Sequence, residues 1–214
     1  MKYHQENEQL EAILQMRDMM ERSSKFLSLS GLAGIIVGCL AIVGVAFAYW
    51  ILAMPLHEIN YMQFIETHNA YFLSKQIQWL MLDAILVLFL ALITGSAMAI
   101  RNAKRKGLSI WDATTKRLIY NMFIPLFAGM FLIIAFILKG QIQFVLPIMP
   151  IFYGLALFNA SKYAIDEINF LGVLEIGLGI IAIFWVELGL LIWLLGFGIL
   201  HIIYGTVIYF KYEK

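Results

Sequence analysis

An all-α integral membrane bundle of six transmembrane helices is the fold class this sequence predicts, and three observations carry it. Hydrophobic residues make up 62% of the 214 and charged residues only 14%, whereas soluble domains sit near half apolar and a quarter charged. The apolar residues gather into long runs, most of them near the roughly 20 residues that cross a bilayer at about 1.5 Å per residue. With both termini placed on the inner side, every one of the 15 basic residues except Lys75 and Lys139 also falls inside, as the positive-inside rule requires. The formal net charge of +1 is therefore less informative than its distribution. A single cysteine, Cys39, excludes an intramolecular disulfide and a cysteine-based metal site, and reads as a small packing residue.

Residues 5–22, QENEQLEAILQMRDMMER, place Leu10, Ile13, Leu14 and Met20 at helical spacing. They predict an amphipathic cytoplasmic helix over 1–25, continuous with the first span of a membrane domain at 26–210. It is either a solvated or interfacial helix end or a coiled-coil stub, with Arg17 at a core position of the latter. The polar character of this segment argues against a cleaved secretory signal. The first span, about 26–52, carries small residues in a stripe: Ser24, Gly31, Gly34, Gly38, Ala41 and Ala48. Small residues at such spacing let helix backbones approach closely in lipid. Pro55 ends the helix.

The loop 55–76 contains Tyr61, Phe64, Tyr71 and Phe72, the amphipathic rings favoured at an interface. Its His57, Glu58, Glu66 and His68 match no metal spacing, and no metal is expected. The second span is about 77–100 and holds Asp83 and Thr94. The most charged stretch follows, RNAKRKGLSIWDATTKR at 101–117. Its Arg101, Lys104, Arg105 and Lys106 are candidates for anionic lipid headgroups, although topology alone asks for the same charge. The third span is about 118–138, with Pro125 inside it. The fourth, about 142–158, contains Pro147 and Pro150 and is expected to be kinked. The final apolar block divides at Trp185–Gly189 into spans of about 171–186 and 189–210, with Glu187 at the hairpin, and leaves a short tail at 211–214.

Two further seams emerge. Gly172, Glu175, Gly179 and Ala182 share one face of the fifth span; Gly198, His201 and Gly205 share one face of the sixth, with Tyr204 one position round. The simplest partner for the first helix is thus another helix of the same chain, and self-association rests mainly on Leu10–Met20. Charge at a bilayer centre costs about 2.5–3.5 kcal/mol, so intramembrane ionisable groups are functional candidates. From the inner ends, Glu175 lies about 6 Å deep and His201 about 12 Å, close enough to reach one another. Asn121 is a third candidate member. The group reads either as interhelical polar glue, at about 0.6 kcal/mol per bond, or as a site that handles a proton or ligand, because histidine titrates in the useful range. Asp83 either pairs with Lys75 or Lys139 or faces a watery vestibule.

The run MERSSKFLSLSGLAG, Met20–Gly34, resembles a family of small six-span bacterial inner-membrane proteins. The resemblance implies a bacterial source and inner-membrane location and carries no activity and no site residue onto this chain. No HExxH, P-loop or GxSxG pattern is present. The spans contain no lysine for a Schiff base and only one histidine, which argues against a bis-histidine haem. No cofactor, catalytic residue or nucleic-acid partner is expected. The leading expectation is a non-enzymatic module that binds a protein partner or self-associates through its N-terminal helix. The alternative is a small transporter or a ligand or proton sensor built on Glu175, His201, Tyr204 and Asn121.

Overall fold

The computed structural model describes residues 30–55, 57–63, 75–107 and 109–214, which contain helices and no strand. Six helices follow one another: α1 (Gly31–Ile51), α2 (Lys75–Arg105), α3 (Ala113–Leu138), α4 (Ile142–Tyr163), α5 (Glu167–Phe184) and α6 (Val186–Glu213). All six are long and apolar enough to cross a membrane, the make-up of a multi-pass membrane protein. The expected amphipathic helix at 1–25, including Leu10–Met20, lies outside the described residues, as do Phe64, Glu66, His68, Tyr71 and Phe72.

The helices run past the limits that hydropathy sets. α2 continues to Arg105 and α3 begins at Ala113. Lysine and arginine are good helix formers, and cations at a helix C-terminus oppose the negative end of its dipole. Asp112 stops α3 at its start, its carboxylate accepting the Thr115 amide at 2.7 Å. Such a cap satisfies one of the amides that a helix N-terminus leaves unpaired. α4 stays helical through Pro150. Pro147 falls in the first turn of its α-helical part, Val145–Ala160, where no intrahelical amide bond is lost. The α5–α6 hairpin is tighter than expected: Trp185 alone leaves helical geometry, at φ −128° and ψ 70°, before α6 begins. Cys39 is exposed, on the outward side of α1 and away from the packing role expected for it.

The small-residue stripes explain the packing. A Cβ on Gly31 would lie 2.3 Å from the Gly205 carbonyl oxygen, and one on Gly38 would lie 2.6 Å from that of Gly198. On Gly34 it would lie 2.9 Å from the Gly205 Cα. α1 and α6 therefore touch backbone to backbone, and the stripe on α1 is filled from within the chain. Ala41 and Ala48 continue it as buried residues. The α4–α5 pair repeats the device: a Cβ on Gly154 would meet the Gly172 carbonyl at 2.5 Å, and one on Gly179 the Pro147 carbonyl at 2.9 Å.

α6 also packs on α4 and α5, so these four helices form the centre. α2 leans on α1, where Val87 covers Gly44, and α3 leans on α4, where Phe152 covers Gly129. Both outer helices expose apolar faces, among them Leu86, Phe89 and Leu92 on α2 and Phe123, Phe127 and Phe131 on α3.

The two ends of the bundle are closed differently. At one, Glu213 accepts the Gly31 amide at 2.6 Å, so the last turn of α6 caps the first turn of α1. Lys211 is ion-paired with Glu167 beside it. At the other, Tyr49 donates its hydroxyl to the Glu58 carbonyl at 3.0 Å. The Asn60 and Ile59 amides both donate to the Glu58 carboxylate and hold it below the usual carboxylate range.

Two expectations follow from this packing. Gly38→Leu should lower stability by about 1–3 kcal/mol or more through overpacking. Gly95→Ala and Gly177→Ala should leave it unchanged or raise it by about 0.5–1 kcal/mol, since a Cβ there meets nothing within 4 Å. Thermal unfolding in detergent micelles reads both. Separately, the Thr115 hydroxyl and then its amide hold the Asp112 carboxyl below its ordinary range. Its contribution is therefore complete above the unfolded carboxylate value and is lost as pH falls through the lower folded value. Asp112→Ala should cost about 1 kcal/mol at neutral pH and progressively less in acid, while Asp112→Asn keeps most of the cap; unfolding midpoints across an acid series test this.

Candidate functional site

α5 enters from the end that bears Glu167, and two turns further on it carries Glu175 on the stripe formed with Gly172 and Gly179. The α4–α5 glycine contacts seat this stripe in the bundle interior, and Glu175 is fully buried, at 0% exposure. Opposite it, α6 changes character. After Gly189–Trp193 the helix widens into a π-helical segment, Leu194–Leu200, and returns to α-helix at His201. Such widenings are rare and are frequent at functional sites.

The widened segment presents Gly196 to Glu175: a Cβ on Gly196 would lie 2.5 Å from Glu175 Oε2. The carboxylate thus rests on bare backbone that any other residue would cover. His201 stands beside it, with Nδ1 3.6 Å from Glu175 Oε1. That separation is too long for a good hydrogen bond. Nδ1 lies instead 2.9 Å from the Gly196 carbonyl, and Nε2 lies 2.8 Å from the Tyr153 hydroxyl of α4.

A carbonyl can only accept, so Nδ1 carries a hydrogen and donates to Gly196. In the neutral ring Nε2 then accepts from Tyr153. Were the ring to gain a proton, Nε2 would donate, and the Tyr153 hydroxyl would turn its own hydrogen elsewhere. His201 is thus held at both nitrogens in a geometry that serves either charge state. Phe197 packs between Trp193, Tyr153 and His201, with ring centroids 4.9, 5.2 and 5.9 Å away. Among the described residues, neither oxygen of Glu175 has a hydrogen-bond partner.

The structure brings together the two residues that periodicity and depth had paired, Glu175 and His201. Tyr204 is the next polar group along α6, its hydroxyl buried and without a partner among the described residues. Asn121 stands apart: its amide donates back to the Arg117 carbonyl of its own helix at 2.8 Å. Asp83 lies against Gly44 of α1 and makes no ion pair with Lys75 or Lys139 among the described residues. Arg101, Lys104, Arg105 and Lys106 are exposed at the end of α2. No group of three or more potential metal ligands occurs among the described residues.

Tyr153 and Gly196 had not been singled out in the sequence. Neither carries a charge to draw attention in an apolar run. The signal that was available is the pair Gly196-Phe197-Gly198 one turn before His201, which marks a stretch of α6 that a neighbour approaches closely.

Gly196→Ala should displace the Glu175 carboxylate and lower stability by about 1–3 kcal/mol. Tyr153→Phe should cost only about 0.6 kcal/mol, the mean for an interhelical bond in lipid. Unfolding of both variants in the same bilayer mimetic distinguishes a tight carboxylate seat from a loose one. Comparison of the chain with protein-family models, with curated proteins and with solved structures finds no match, so the functional reading stands on this geometry.

Proposed function

We propose that this protein is a proton-handling membrane module, a small proton-coupled transporter or proton sensor, whose working centre is Glu175, His201 and Tyr153. We further place it in the inner, cytoplasmic membrane of a bacterium, on the resemblance carried by Met20–Gly34, with both termini in the cytoplasm, on the strength of the basic residues that gather at the end where α1 begins and α6 finishes. One observation carries the functional reading: a carboxylate with no exposure and, among the described residues, no hydrogen bond, 3.6 Å from a histidine that is bonded at both of its nitrogens.

Polar residues that merely join helices spend their donors and acceptors on each other. Glu175 spends neither oxygen, although burying an unpaired charge costs several kcal/mol. The arrangement therefore favours net-neutral states: a carboxylic acid beside a neutral imidazole, or a carboxylate beside an imidazolium. They hold the same proton in two places: on the Glu175 carboxyl in the first, and in the second on His201 Nε2, because Nδ1 already carries the hydrogen given to the Gly196 carbonyl. Loss of that proton to solvent leaves a carboxylate beside a neutral imidazole. The alternative of a partner-binding or self-associating module drew on two features. α6 covers the stripe on α1, and residues 1–25 lie outside the described chain, so the buried group supports the stronger reading.

Infrared difference spectra of the protein in lipid vesicles, recorded across the pH range in which histidine titrates, should show a carboxylic-acid carbonyl band that changes with pH. Glu175→Gln should abolish it while shifting stability by no more than about 1 kcal/mol. A wild-type spectrum without any pH-dependent carboxyl band would rule the proposal out.

A further inference from the structure

α5 and α6 meet in two polar rungs. The deep rung is Glu175 with His201. The outer rung is at the termini-bearing end, where Glu167 is bonded by Lys211 and accepts the Tyr212 hydroxyl at 3.0 Å. Glu167, Leu171 and Glu175 follow each other at intervals of four on one face of α5, so the rungs stand about 12 Å apart along that helix. On α6 the matching face reads His201, Tyr204, Ile208 and then Lys211 and Tyr212.

The rungs differ in access. Glu175 is sealed, whereas the Lys211 side chain is 58% exposed. Between them Leu171 and Ile208 are buried and apolar. The one buried hydroxyl on this face is Tyr204, about 4.5 Å along the axis from His201. It packs against the buried apolar cluster of Leu157, Ala164, Ile165, Ile168, Leu171 and Ile208. The titratable groups that act on it are Glu167, Tyr212 and Asp166, all at the mouth, and on the deep side the next one along its own helix is His201, three residues back. Its own oxygen has no partner among the described residues. A phenol in that position can accept a proton on its oxygen while releasing its own hydrogen on the far side, which is the requirement for a relay.

We propose that this face of α5 and α6 is the proton route between the buried group and the termini-bearing end, with Tyr204 as the relay and Glu167, Lys211 and Tyr212 as the mouth. The inference rests on the proton-handling reading and gives it a direction. A proton reaches the mouth from solvent, passes by way of water to the Tyr204 oxygen, and the tyrosine gives up its original hydrogen toward His201 and Glu175. The phenol is regenerated, and Lys211 keeps its charge throughout.

The experiment is a pH jump on the full-length protein in detergent micelles, following the Glu175 carboxyl band in time. Tyr204→Phe should slow its appearance by about a hundredfold with an unchanged final amplitude. The hydroxyl removed has no partner, so the variant should fold as the wild type does. Glu167→Gln probes the mouth without touching the interior and should also slow the band. Tyr61→Phe supplies the contrast. Its hydroxyl is likewise buried and, among the described residues, unpartnered, but it lies at the opposite end, against Gly189, and its loss should leave the rate unchanged. Wild-type rates in Tyr204→Phe and Glu167→Gln would overturn the route and leave the proton-handling reading standing. Slowing confined to Tyr61→Phe would place the entrance at the other end and overturn the route as well. A wild-type protein that shows no carboxyl band overturns the underlying reading and this inference with it.

Discussion

Backbone contact between α1 and α6 is the constraint on which the rest of the bundle depends. Lipid offers no hydrophobic drive for helices to associate, so close packing and polar bonds must do it. Gly31, Gly34 and Gly38 lie against Gly198 and Gly205 with no room for a Cβ. This brings the first and last helices together and lets Glu213 close the N-terminus of α1. It also fixes the rotation of α6 about its axis. With its glycine face turned to α1, the Gly196–His201 face is turned to α4 and α5, where Glu175 and Tyr153 stand.

The site is best understood as a local disagreement between good packing and good hydrogen bonding. Around it the helices are close-fitted, with Ala156, Pro147 and Pro150 fully buried. Within it, α6 is widened, a glycine leaves backbone bare, and a carboxylate sits unbonded. Such departures from consistency are where natural proteins place function, at the expense of local stability. The hydrogen bond from Tyr153 to His201 Nε2 ties this pair to α4 as well as to α5 and α6.

Much of this was legible in the residues. Six helices could be read because the bilayer imposes a length and a polarity on each one. The Glu175–His201 pairing could be read because two intramembrane ionisable groups at similar depth on neighbouring helices have few other partners, although the face of α6 expected to hold Gly198, His201 and Gly205 together is divided, the glycines meeting α1 and the His201 ring meeting α4 and α5. Helix limits were less legible: lysine and arginine end a hydrophobic run without ending a helix, so α2 and α3 extend into the basic stretch. The widening of α6 leaves no compositional trace, since one extra residue in a turn depends on what the neighbouring helix presents. Tyr153 was hidden for a related reason. Its position opposite His201 is set by how α4 docks on α5 through Gly154 and Gly172. Asn121 shows the opposite error, a polar residue at a plausible depth that bonds to its own helix.

α2 carries a consequence of its own. At 31 residues it is about 46 Å long, against a hydrocarbon core of about 30 Å. Bringing the whole helix within that thickness would take a tilt of about 50°, beyond the 0–40° range seen for spanning helices. In a bilayer the mismatch is relieved by letting the final turns stand clear of the apolar slab. Those turns hold Arg101, Lys104 and Arg105, so the positive charge rides on a stiff strut at a set height above the acyl chains.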